Sequence, residues 1–353
     1  MQHDPPNRGA GPVLGVTLVS GLRSADRSRF AALATGTAAT QQVHPSSAGH
    51  QDFPLELADH LLELAARGHA GRVVVDLDPR VDCLEAGLVL RHLFAAEASD
   101  GVRVQLRELV TTARVADIRR WLFREGPDHT QQGDYDTSER LAAQLESAST
   151  IILADLTDAP SVAAREVIAL LNRLNPTARI LPPSEAEHPA ARSVPSGDRL
   201  EALGRDMGWM LELEGRAGLP STIAGIGAFV FRDPRPFHPT RLGQVVEHFL
   251  DPEDAGLIVR SRGLVRLASR PGRVGSWSTA GRVLSLDPTA MLSWDADSPQ
   301  GQELVFFGRE LQAEYLSNVL GAALLADDEL LAGPMEWARY RDPFPAWELE
   351  HDH

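Results

Sequence analysis

The sequence predicts an α/β chain, a parallel-sheet domain with a phosphate-loop frame near its start, followed by a separate α+β domain. Three observations predict it. Over the first half, short runs of Val, Ile and Leu alternate with amphipathic helical stretches. The apolar run Val13–Val19 leads into "GLRSADRS" (21–28), a glycine turn that passes into a helix-like stretch. Residues 183–220 then become rich in Pro, Ser and Glu before a second pattern of hairpins and helices begins.

The strands expected in the first domain are "VLGVTLV" (13–19), "GRVVVDLD" (71–78), "GVRVQLRELVTT" (101–112), "STIILAD" (149–155) and "ARILP" (178–182). Nearly continuous apolar strands separated by helices imply a parallel sheet covered on both faces. In "PLELADHLLELAARG" the helical period places Leu55, Ala58, Leu61, Leu62 and Ala65 on one face. In "SVAAREVIALLNRLNP" it does the same for Val162, Val167, Ile168, Leu171 and Leu174, and Pro176 ends the helix. The second domain reads as a strand "STIAGIGAFVF", a helix "PTRLGQVVEHFL", two or three hairpin strands from Leu257 to Leu286, a strand "ELVFFG" and a helix "ELQAEYLSNVLGAALL". The expected organisation is a disordered leader over 1–11, the first domain over 12–185, a linker over 186–220, the second domain over 221–347 and a tail over 348–353.

Composition narrows the function. No apolar run is long enough to span a bilayer, and "MQHDPPNRGAGP" is not a signal peptide, so a cytoplasmic protein without a membrane partner is expected. The net charge of −15 argues against a protein that coats nucleic acid over its whole surface. A single cysteine, Cys83, excludes an internal disulfide and a multi-thiolate metal site within one chain. All 34 basic residues are arginine, which fits high-GC coding of the actinobacterial type. No lysine is available to reach a phosphate or form a Schiff base.

The phosphate-loop frame departs from the working pattern G-x-x-x-x-G-K-[ST]. The second glycine is replaced by Asp26 and the lysine by Arg27, while Gly21 and Ser28 keep their places. Asp26 would set a carboxylate against a phosphate. Arg27 carries charge, but on a longer, planar fork.

Several motifs in order, "FRDPRPFHPTRL" (231–242), "GLIVRSRGLVRLASRP" (256–271), "WSTAG" (277–281), "ELVFFG" (303–308), "LLADDEL" (324–330) and "WARYRDPFPAW" (337–347), resemble the C-terminal domain of CobW-type proteins. The resemblance extends more thinly over most of the chain. It implies a P-loop GTPase-like domain followed by a CobW C-terminal domain, with GTP, Mg²⁺ and zinc as the family's cofactors and cargo. It also implies a role in metal delivery or cobalamin synthesis. By that resemblance the nucleotide positions are Gly21, Arg27, Ser28, Asp76 in "DLDP" and Asp158 in "DLTD". Of the guanine-reading N-K-x-D only the last aspartate remains, and the stretch before Leu55 lacks the family's C-x-C-C. The implied nucleotide site is vestigial.

The segment "GRVVVDLDPRVDCLEAGLVLRHL" is similar to one actinobacterial-type branch, which recruits a hibernation protein to ribosomes under zinc limitation. The resulting expectation is a non-catalytic adaptor for a protein or ribosomal partner, and the alternative is a GTP-binding zinc metallochaperone. No Ser/His/Asp, Cys/His or paired-carboxylate constellation stands out as catalytic.

Between Ile258 and Val283 lie Arg260, Arg262, Arg266, Arg270, Arg273 and Arg282, with no acid among them. Hairpin alternation would turn Arg260, Arg262 and Arg266 outward and pack Val259, Leu264, Val265 and Leu267. The strip then either pairs with the acidic first domain or meets phosphate, on RNA or on a nucleotide-bearing partner. Cys83 reads as a small core residue ahead of a ligand or reactive thiol. His238 reads as a turn-ordering residue, and His351 and His353 as part of a solvated tail.

Overall fold

The computed structural model of the chain describes residues 12–35, 40–43, 52–96, 103–125, 132–157, 159–186, 200–201, 203–248 and 250–347. The chain divides into two compact units. One comprises residues 1–114, 143–158 and 177–205, and the other residues 115–142, 159–176 and 206–353. Among the described residues no helix is long and apolar enough to cross a membrane.

The first unit is built on a parallel sheet of β1 (Val13–Ser20), β2 (Thr40–Val43), β3 (Gly71–Asp76), β4 (Arg103–Ala113), β5 (Thr150–Leu153) and β6 (Arg179–Leu181), in the order β2-β3-β1-β4-β5-β6. Its strands alternate between two apolar layers because successive side chains leave opposite faces. Leu14, Val16, Leu18, Val73 and Val75 pack under α2 (Phe53–Ala66) and α3 (Cys83–Ala96). Val19, Val74, Val110 and Ile152 face the other way, against Ala31 of α1 (Ser24–Thr35) and Ala186 of a short helix, Pro183–Ala186. The apolar face of α2 is not the expected one. Leu57, Ala58, Leu61, Leu64 and Ala65 are buried, whereas Leu55 is 49% exposed. The expected and observed stripes share Ala58, Leu61 and Ala65, and periodicity alone does not say to which side of them the core lies.

The second unit contains α4 (Val115–Trp121), α6 (Val162–Leu174) and most of α5 (Gln132–Ser147). Ser161 caps α6 by accepting from the Ala164 amide at 3.1 Å. Val162, expected on the buried face, sits in the first turn and is 64% exposed. Within residues 186–220 the chain forms α8 (Gly208–Leu213), numbered after the short Pro183–Ala186 helix, α7.

The sheet of this unit is antiparallel. Its strands are β7 (Thr222–Ile223), β8 (Ile226–Asp233), β9 (Leu257–Val265), β10 (Arg273–Ala280), β11 (Val283–Leu292) and β12 (Gln302–Arg309), in the order β11-β10-β9-β12-β8-β7. The single strand expected over 221–231 is therefore two, reversed at Ala224 and Gly225, both with positive φ. One face of the sheet carries Trp277, Leu304 and Phe306 into a core with Phe237, Leu316 and Leu320. The last two come from α11 (Ala313–Ala322), and α9 (Pro239–His248) adds Leu242 and Val245.

A fork ties α9 to α12 (Asp327–Ala332). Arg241 donates to both Glu329 oxygens, at 2.8 and 2.5 Å, while Glu329 also accepts from the Ala326 amide. The Arg241 bonds outweigh desolvation and hold the Glu329 carboxyl at about 2, against an ordinary 4.5. A depressed carboxyl contributes stability that is fully present above its ordinary pKa and is lost as pH falls through the folded value. Glu329→Gln should therefore cost on the order of 2 kcal/mol at pH 7. The difference from wild type should shrink as pH falls from 4.5 toward 2. Urea unfolding across that pH series checks it, and a pH-independent difference would contradict it.

Candidate functional site

In the parallel sheet β1 lies between β3 and β4. Connections on the two sides of β1 run in opposite directions, so a crevice opens beyond its carboxyl end, where doubly wound sheets bind ligands. Ser20 ends β1 with Gly21 directly after it, Asp76 ends β3, and Thr111 and Thr112 stand just before the end of β4 at Ala113. The loop from β1 to α1 has three residues, Gly21 to Arg23, because helix begins at Ser24. Gly21 is required by position. Its φ is +146°, and a Cβ would lie 2.3 Å from the Thr112 carbonyl oxygen.

Asp26, Arg27 and Ser28 thus stand on α1 rather than in a long loop. Arg27 is 7% exposed, and its Nε donates to Asp76 Oδ1 at 2.6 Å. Its second nitrogen donates to the Gly21 carbonyl at 2.6 Å. Three of the sequence-derived nucleotide positions, Gly21, Arg27 and Asp76, are therefore brought together, bonded to one another. Ser28 is exposed on the helix, and Asp158 lies outside the described residues.

Asp26 is held by Arg114, which donates to both carboxylate oxygens at 2.7 and 2.8 Å. Those bonds hold the Asp26 carboxyl below its usual range against the opposing cost of burial. Sequence reasoning missed Arg114. An arginine directly after the apolar end of a crevice strand, "LVTTAR", was the available signal. Beside Asp26, a cavity reaching Thr112, Ile152 and Ala186 holds about 30 Å³, room for a water or two.

Cys83 is buried at the start of α3, and desolvation pushes its thiol up to about 12 despite a hydrogen bond from Ser20 pulling the other way. It is a protonated core residue at neutral pH. His238 stacks on Tyr340 with ring centroids 4.7 Å apart and accepts from the Arg241 amide at 3.5 Å, at the entry to α9. His351 and His353 lie outside the described residues, as do the expected leader and tail. Among the described residues no three His, Cys, Asp or Glu side chains are grouped to hold a metal ion.

The arginine strip departs from the expected outward array. Arg260 is 0% exposed. It donates to both oxygens of Glu139, at 2.7 and 3.2 Å, and to Ser278 Oγ and the Thr279 carbonyl. Burial pushes the Glu139 carboxyl up, but the charge and bonds of Arg260 prevail and its pKa is lowered. Arg262 and Arg266 are half-buried, and Arg266 reaches the Gln300 carbonyl at 3.4 Å. Leu264, expected to pack, is half-buried as well. Arg270 pairs with Asp342 at 2.8 Å and lies 4.4 Å over the Trp347 ring. Arg273 donates to the Thr289 carbonyl at 3.3 Å, and Arg282 is exposed. Alternation along β9 failed for Arg260 because Glu139, 121 residues earlier, supplies a half-buried counter-charge that no local pattern announces.

By fold, the chain is an α/β unit on a parallel sheet and an α+β unit on an antiparallel sheet. Residues 226–324 match the cobalamin synthesis protein cobW C-terminal domain. The "Zinc-regulated GTPase metalloprotein activator 1" of Dictyostelium discoideum is 27% identical over 67% of this chain, which spans 56% of that protein's length. "Zinc chaperone Rv0106" of Mycobacterium tuberculosis is 28% identical over 84% of this chain and 78% of its own length. The Zn(II)-bound YjiA GTPase of E. coli aligns with 90% of this chain and 100% of its own at 15% identity, with a TM-score of 0.36. The second unit thus carries a segment that matches the CobW C-terminal domain, and the chain is distantly similar to proteins named for zinc delivery.

The strip separates into structural and surface arginines, which stability measurements can tell apart. Arg260→Met leaves Glu139 facing an apolar side chain and should cost about 3 kcal/mol. Arg282→Ala, at an exposed position, should stay within about 0.5 kcal/mol of wild type. Equal effects of the two in urea unfolding would refute this division.

Proposed function

We propose that this chain acts in zinc homeostasis as a non-catalytic CobW-like adaptor, whose parallel-sheet unit holds a protein or ribosomal partner without turning over GTP. The zinc half of the reading rests on the relationship to a zinc chaperone and a zinc-regulated GTPase activator. The non-catalytic half rests on one observation. The guanidinium at the P-loop lysine position is folded back onto Gly21 and Asp76 and is 7% exposed. A phosphate cradle needs successive backbone amides and a cation aimed at the ligand. Here the loop is three residues long, and the cation is bonded to the protein itself.

The second reading is a GTP-binding zinc metallochaperone, which the names of the relatives favour. It would require Arg27 to leave Asp76, and Asp26 to leave Arg114, as nucleotide enters. Breaking either pair leaves a buried or half-buried charge uncompensated, which costs several kcal/mol. The bound phosphates would have to offset that cost.

Titration of the full chain with fluorescent GTP and Mg²⁺ separates the two readings. The adaptor predicts no saturation in the low micromolar range and no hydrolysis above background. Equilibrium dialysis with zinc and a modest chelator should then leave less than one zinc per chain. Micromolar GTP binding, or one zinc retained per chain, would establish the metallochaperone instead.

A further inference from the structure

The second unit contains a cavity of about 530 Å³, within the range that small ligands occupy. Phe123, Leu250, Leu284 and Phe306 give it apolar walls, and Arg124, Arg282 and Arg309 bring guanidinium groups to it.

Arg124 is the residue that folding alone does not explain. Its φ is +61°, the left-handed region that a non-glycine side chain occupies only at a cost. Among the described residues its guanidinium donates to two carbonyls, those of Gly281 and of Ile258, the latter at 3.2 Å. Its Nε is buried with no hydrogen-bond partner. Burial, and next the charge of Arg282, push its pKa down to about 10, with Asp251 acting weakly in the opposite direction.

Three described acids near the cavity have partners of their own. Asp251 caps the Pro252–Ala255 helix by accepting from the Glu253 amide at 3.0 Å. Glu247 lies 3.6 Å from His248 with both side chains exposed. Arg309 lies 3.7 Å from Glu166. Among the described residues the deeply buried guanidiniums of Arg27, Arg173 and Arg260 each meet a carboxylate. Half-buried Arg124 meets none among the described residues, and it is held in left-handed backbone at the wall of a roomy cavity.

We infer that this cavity binds a small organic anion, a phosphate or carboxylate headgroup on an apolar body. The headgroup meets the guanidinium groups of Arg124 and Arg282, where charge-assisted hydrogen bonds would offset the partial burial of the Arg124 cation. The body lies against Phe123, Leu284 and Phe306. This site is separate from the crevice at Gly21 and does not depend on whether that crevice takes nucleotide.

Calorimetric titration of the full chain with phenyl phosphate, benzoate, inorganic phosphate and phenol tests the inference. Phenyl phosphate or benzoate should bind saturably at one per chain, and the tighter of the two identifies the headgroup. Phenol should not bind, and inorganic phosphate should bind at least about tenfold more weakly, for want of the apolar contacts. Arg124→Gln and Arg282→Gln should each weaken the organic anion about tenfold or more. Should Arg124→Gln fail to fold, Arg282→Gln at its exposed position carries the comparison. The inference is overturned if neither organic anion saturates the wild type, if phenol binds as well as they do, or if Arg282→Gln leaves the affinity unchanged.

Discussion

A buried guanidinium has to be neutralised or fully hydrogen-bonded, and that requirement organises both units of this molecule. With arginine as the only strong base, every cation in the interior carries five donors in a rigid plane. In the first unit Arg27 is fixed by Asp76 and the Gly21 carbonyl. In the second, Arg173 is nearly fully buried, donates to Glu212 at 2.9 Å, and also reaches the carbonyls of Pro220, Ser221 and Ile226. Arg260 does the same through Glu139 and β10. Each pair joins segments far apart in sequence. The desolvation of both ions is recovered only when the geometry is complete, so such pairs specify an arrangement more than they add net stability.

The same constraint converts a phosphate-loop frame into something chemically different. A lysine in that position would present a compact, rotatable ammonium to a ligand. The planar fork of Arg27 instead reaches one strand over to Asp76 and back to Gly21. Asp26, whose carboxylate would oppose a phosphate, gives Arg114 an equally close partner across the β4 end of the crevice. The substitutions at 26 and 27 are thus consistent with each other. Each new charge has its own counter-charge within the unit, and the two-pair arrangement occupies the strand ends where doubly wound sheets place ligands.

How much of this could be read in advance depended on the range of the interaction. The strands of the first sheet follow from continuous Val, Ile and Leu runs, because burial on both faces leaves no other pattern. The hairpins from Leu257 onward follow from alternation and glycine punctuation. The face of α2 was misplaced because Leu55 and Leu57 are equally apolar, and only the position of the sheet distinguishes them. The turn at Ala224–Gly225 was legible in principle but lies inside an otherwise apolar run. Arg260 was read as exposed because local alternation cannot see Glu139, and the Asp26–Arg114 pair was missed for the same reason. Glycine, strand and cap signals act over a few residues, whereas ion pairs depend on topology.

Arg124 runs against this rule. Its neighbour Arg119 is bonded to Glu125 and Glu166, so the segment after α4 does not lack acids. The chain places Arg124 in left-handed backbone, turns its guanidinium inward, and leaves it to uncharged carbonyls beside a second arginine. Left-handed backbone and a half-buried cation that meets no carboxylate among the described residues are both unfavourable in the isolated protein, and their coincidence at one residue needs a common cause. A conformation that the fold alone would not favour is retained where something outside the chain completes it. An anion at the cavity would supply the missing charge, so that the position is costly when the cavity is empty and favourable when it is filled.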